Sequence, residues 1–106
     1  MKRTLPGEIW RVDFGMAAKV RPALLLSDFP ADNELALLVV IPHTTAVRNN
    51  RWEFPLQKSF LKTGVFHLQQ IQPMPLARFD TQLGVLLPDE LKKIKQALIK
   101  LLNLQI

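Results

Sequence analysis

The apolar residues of this chain come in short runs, and proline, glycine or an Asn/Asp turn cuts each one until residue 88. Runs this short suit strands rather than core helices. Within Glu8 to Phe14, Trp10, Val12 and Phe14 alternate with Arg11 and Asp13, the two-residue period of a half-buried strand that Gly15 ends. Pro22-Ala23-Leu24-Leu25-Leu26-Ser27 is apolar without alternation, so it reads as a buried strand opened by proline. After turn chemistry from Asp28 to Asn33, Leu35 to Ile41 is a third strand, which Pro42 is expected to stop.

Asn49-Asn50 marks another turn. From Arg51 to Leu56, Trp52, Phe54 and Leu56 share one face. Gly64 opens a further alternation, with Val65, His67 and Gln69 opposite Phe66, Leu68 and Gln70, and Pro73 and Pro75 break it. A last short strand falls within Leu83 to Leu87, and the spacing allows a short helix over Gln57 to Leu61. Pro88-Asp89-Glu90 then starts the one clear helix: proline suits its first turn and the acids suit its dipole. Leu91, Ile94, Leu98 and Leu101 form its packing stripe, with Lys92, Lys93 and Lys100 off it. Five to six short strands and one helix predict a single domain over residues 1–106, mainly β, a small β-barrel with a C-terminal helix.

Composition narrows the function. A hydrophobic content of 48% excludes a disordered tail. With no cysteine there is no disulfide, thiol nucleophile or thiolate metal site. The basic start, Met1 to Gly7, has no apolar run behind it, and no stretch approaches the roughly 18 apolar residues of a membrane helix. A soluble, cytoplasmic protein is expected. Lys and Arg number 14 against 9 Asp and Glu, a net charge of +5 that favours an anionic partner. Part of that charge, Lys92, Lys93, Lys95 and Lys100, is the solvated face of the helix.

Phosphate loops, the GxSxG elbow and HExxH are absent, and His43 and His67 are the only histidines, so neither a metal nor a cofactor is expected. Polar residues that interrupt apolar context remain. Arg21 stands before Pro22 at the mouth of a buried strand, where a guanidinium can grip a phosphate with two parallel bonds. An exposed loop arginine is the commoner case. Thr44 and Thr45 end another strand, where a hydroxyl can donate to phosphate or simply close a turn. His67, in mid-strand, titrates near neutrality and could move a proton, or serve as polar filler. Trp10 and Trp52 can stack on bases but lie on the apolar sides of their strands.

Taken together and in order, these segments resemble the MazF/PemK toxins. The opening strand is Gly7-Glu8-Ile9-Trp10-Arg11-Val12-Asp13-Phe14-Gly15, followed by the Arg-Pro strand Lys19-Val20-Arg21-Pro22-Ala23-Leu24-Leu25-Leu26-Ser27. Val39-Val40-Ile41-Pro42-His43-Thr44-Thr45 matches an apolar strand closing in Pro-x-Thr. Leu61-Lys62-Thr63-Gly64-Val65, Gln69-Gln70-Ile71 and Leu83-Gly84-Val85-Leu86 follow in the family's order. The resemblance implies an SH3-like barrel of the MazF/PemK/CcdB type, a homodimer, and a type II toxin whose antitoxin covers its groove. It implies cleavage of single-stranded RNA by attack of the 2′-hydroxyl on its own phosphate, without a metal.

Carried over, the catalytic arginine is Arg21 and the threonine is Thr44. Some relatives carry an arginine and an acid where this chain has His67 and Gln69, so any proton transfer at that spot falls to His67 or vanishes. Gln72 stands where many members have arginine, and the loop Met16-Ala17-Ala18-Lys19-Val20 is shorter than in many relatives. Lys19, Thr45, Gln69 and Gln70 are expected at the RNA, with Arg48 and Arg51 adding phosphate contacts. The alternatives are a non-catalytic barrel that binds RNA or an acidic protein partner, and a structural module that binds protein alone.

Overall fold

The computed structural model describes residues 2–15 and 19–104. Met16, Ala17 and Ala18 of the short loop lie outside them. Seven strands precede one helix: β1 (Glu8–Asp13), β2 (Val20–Leu25), β3 (Leu37–Thr44), β4 (Glu53–Pro55), β5 (Val65–His67), β6 (Gln72–Pro75), β7 (Phe79–Val85) and α1 (Pro88–Leu101). The strands run in the order β4-β5-β3-β2-β1-β7, with β6 also on β3, and every pairing is antiparallel.

Two apolar clusters hold this sheet. Ile9, Leu24, Ile41, Phe66 and Leu68 pack with Ile94 and Leu98 of α1. Val12, Ala23, Leu25, Leu38, Val40 and Met74 form the other cluster. Ala23, Leu24 and Leu25 of β2 alternate between the two, so this half of the strand is covered on both faces and its sequence has no polar side. Trp10 and Phe14 join Val12, and Trp52, Phe54 and Leu56 share the helix-side cluster, as their alternation implies. By contrast Val65, Phe66, His67 and Leu68 are all buried, so no two-faced strand forms there, and Leu68–Gln70 turns into a 3-10 helix.

Prolines do not end strands where the sequence suggests. Pro42 lies inside β3, opposite Ala23. The amide of Leu26 donates to the carbonyl of Val39, so odd-numbered residues of β3 aim their backbone groups at β2 and even-numbered ones aim away. Pro42 therefore needs no donor toward β2. On its other side it falls between the β6 pairing, which reaches Val40, and the β5 pairing, which begins at His43. Pro73 and Pro75 are strand residues of β6 for the same reason. Even-numbered residues of β3 bond toward β6, so Pro73 and Pro75, paired with Val39 and Leu37, have their nitrogens facing outward.

That outward edge of β6 has no amide donor at either proline, and it takes no further strand. The expected barrel is thus an open, curled sheet: among the described residues no pairing joins β7 to β4 or β6. The last strand begins earlier than Leu83, at Phe79. Gln57 to Leu61 is a turn closed by Leu61 N to Lys58 O at 3.0 Å, not a helix. The helix begins at Pro88 as expected. Glu90 accepts from the amide of Leu87 at 2.8 Å, and Asn103, at φ 56°, ends the helix in the left-handed region. Among the described residues no helix is long and apolar enough to cross a membrane.

Candidate functional site

The register of the central strands brings distant residues together. Val12 pairs with Arg21, Ala23 with Pro42, and Thr44 with Val65. Continuing the β2–β3 register past Ala23 and Pro42 carries Arg21 to Thr44, although 22 residues separate them in sequence. In the adjacent row, Arg11 pairs with Pro22 and His43 with Phe66. Gly64 makes the last of these approaches possible, since a Cβ there would collide with the carbonyl oxygen of Thr44.

At these strand ends lies a groove of about 680 Å³. Arg21, Thr44, Thr45 and Lys19, all expected at the site, line it. So do Arg11, His43, Lys62, Phe60 and Leu83, which the sequence reading did not single out. Four of the lining residues are cationic and none is a carboxylate, so the groove holds positive potential for an anion. Lys19 enters β2 with φ 57°, a left-handed conformation uncommon for a residue with a side chain.

Thr44 Oγ accepts from the amide of Ala46 at 3.0 Å. The hydroxyl thus closes a turn and still has its own hydrogen to donate. Arg11 faces Asp80 at 3.8 Å with both side chains more than half exposed, a weak pair that leaves its charge available. His43 is buried, meets Phe66 edge-on at 5.1 Å, and has no hydrogen-bond partner at Nε2. Its burial lowers its pKa below the ordinary histidine value, so it is neutral at pH 7.

The other expected residues lie elsewhere. His67 is buried on β5 opposite Glu53, with Nδ1 unpartnered, and is not part of the groove lining. Gln69 and Gln70 are exposed on the 3-10 turn that follows it, where Gln72 Nε2 donates to the Gln70 carbonyl at 3.1 Å. Arg48 and Arg51 belong to the turn before β4. The amides of Arg48 and Asn50 donate to Glu53 at 2.7 and 3.0 Å, and the Arg48 bond is the main cause that holds the Glu53 carboxyl below its usual pKa. The Arg51 guanidinium lies 4.4 Å from the ring centre of Trp52. Among the described residues no three His, Asp or Glu side chains converge to hold a metal ion.

Arg11 and Lys62 were legible as polar positions, but only the tertiary structure brings them to the groove. His43 and Phe60 carry apolar-context signals that a core residue would share.

Known structures share this fold. An endoribonuclease from a mycobacterial species, in complex with its cognate antitoxin, aligns with a TM-score of 0.79 and 25% identity over 97% of this chain and 98% of its own. The Mycobacterium tuberculosis toxin MazF-mt6 aligns at 0.78 and 25% identity over 96% and 100%. A MazE–MazF structure from Deinococcus radiodurans aligns at 0.79 and 21% identity over 98% and 100%, a likeness of fold. No curated protein matches the chain in sequence. Residues 5–102 match a family model for the PemK-like, MazF-like toxins of type II toxin–antitoxin systems, and with that span covering all seven strands and the helix, the chain belongs to this family.

Proposed function

We propose that this protein is the toxin of a type II pair and a sequence-selective endoribonuclease that cuts single-stranded RNA such as messenger RNA. The observation that carries the reading is the groove: four cations and a threonine hydroxyl gathered at strand ends, with no carboxylate among the lining residues. Such a lining suits a phosphodiester backbone. Family membership and the endoribonucleases among its structural neighbours support the same chemistry.

The reaction needs no protein nucleophile. The 2′-oxygen attacks the adjacent phosphorus, the P–O5′ bond breaks, and the proton lost by the 2′-hydroxyl is balanced by one gained at the 5′-oxygen. The products are a 2′,3′-cyclic phosphate and a 5′-hydroxyl. Arg21 stabilises the charge that builds on the non-bridging oxygens, and Thr44 donates to one of them. Lys19, Thr45, Arg11 and Lys62 hold the flanking backbone. DNA, without a 2′-hydroxyl, is not cut. A cognate antitoxin silences the protein by covering the groove, the active form is a homodimer, and it acts in the cytoplasm.

The test is incubation of the purified protein with a long single-stranded RNA in EDTA, beside Arg21→Ala. Discrete fragments ending in cyclic phosphate, from the wild type alone, are the expected result. Intact RNA from a folded wild-type protein would replace this reading with that of a binding barrel.

A further inference from the structure

The cations of the groove can hold phosphates, but they cannot offer a base an aromatic face. Phe60 can. It lies in the segment between β4 and β5, is half-buried, and lines the groove together with Lys62 and Leu83. The tip of its ring rests on the backbone of Gly84 in β7, where a Cβ would stand 2.5 Å from Cζ and 2.6 Å from Cε2. Only glycine admits that approach.

The segment that carries the ring is also anchored. Lys58 Nζ meets Glu90 Oε1 of α1 at 2.7 Å, with side chains 19% and 21% exposed, and the Leu61 amide donates to the Lys58 carbonyl across Phe60. The ring packs against the helix-side cluster, is tied at its flank, and still lines the groove with Arg21, Thr44 and Lys62.

Resting on the ribonuclease reading, we propose that Phe60 is the base platform of the groove: it stacks a nucleobase flanking the phosphate that Arg21 and Thr44 hold. Stacking on a side chain takes a base out of any duplex, so the platform also selects unpaired strands.

The test uses a short 2′-O-methyl RNA, which cannot be cleaved, and the same oligonucleotide lacking one base. Binding is measured for the wild type, Phe60→Leu and Phe60→Trp, each checked for native melting. The wild type is expected to prefer the complete oligonucleotide by about tenfold or more. Phe60→Leu keeps an apolar side chain over Gly84 and should lose that preference while holding the base-free oligonucleotide as well as before. Phe60→Trp should restore the preference, with its added fluorescence quenched on binding. Retained preference in Phe60→Leu overturns the platform and leaves the ribonuclease reading standing. A wild type that binds neither oligonucleotide overturns both.

Discussion

Strands β2 and β3 each do two things along their length. Ala23, Leu24 and Leu25 of β2, like Leu38, Val40 and Ile41 of β3, are fully buried. A few residues away, Val20, Arg21 and Pro22, with His43 and Thr44, open onto the groove. The buried halves are covered on both faces and hold the sheet. The other halves run past the clusters, and strand register sets which of their side chains reach the groove. The contrast teaches that this chain places its chemistry where the core runs out, on backbone that the core has already fixed.

Substitutions in the two halves should therefore separate stability from activity. Leu24→Ala removes a side chain from the helix-side cluster and should cost about 2–5 kcal/mol of stability, read by denaturant unfolding, with activity falling only as the fold is lost. Arg21→Ala should do the reverse. Loss of one charged donor to the reacting phosphate lowers the cleavage rate by about 100- to 1000-fold, while the melting temperature stays within a few degrees. A large drop in melting temperature for Arg21→Ala would break the division between halves. Thr44→Ala should cost about fivefold to tenfold in rate, because one neutral hydrogen bond is at stake.

His43 sharpens the comparison, since it is buried like a core residue yet lines the groove. Burial depresses its folded pKa, so the unfolded chain takes up a proton first as pH falls. Its contribution to stability is complete above the unfolded value of about 6.5 and declines as pH drops from there toward the folded value. His43→Gln should remove that part of the pH slope in thermal melts, and an unchanged slope would assign it to other groups. The smallest effect concerns salt. Arg11→Gln or Lys62→Gln should each reduce the slope of log affinity against log salt by about 0.7 for single-stranded RNA. Arg51→Gln, whose guanidinium lies over Trp52 outside the groove lining, should change it less.

Several elements were legible because their cause is local. The α1 start follows from Pro88 and Glu90, and the two-sided burial of β2 follows from a run with no polar alternation. Arg21 and Thr44 were found through their motif neighbours, Pro22 and Pro42. The strand roles of Pro42, Pro73 and Pro75 were not legible, because a proline is tolerated or not according to which side of a strand its nitrogen faces. That depends on partners far away in sequence.

The sequence by itself determined the strand-rich character, the closing helix, the basic charge and the residues able to meet a phosphate, since these depend on side-chain chemistry and short-range spacing. Only the tertiary structure decided that the sheet stays open along β6, that His67, Gln69 and Gln70 lie outside the groove lining, and that Arg11, His43, Phe60 and Lys62 join it. The physical reason is long-range placement: antiparallel register sets which strand ends meet, as for Arg11 and His43, and the fold carries the segment of Phe60 and Lys62 against them.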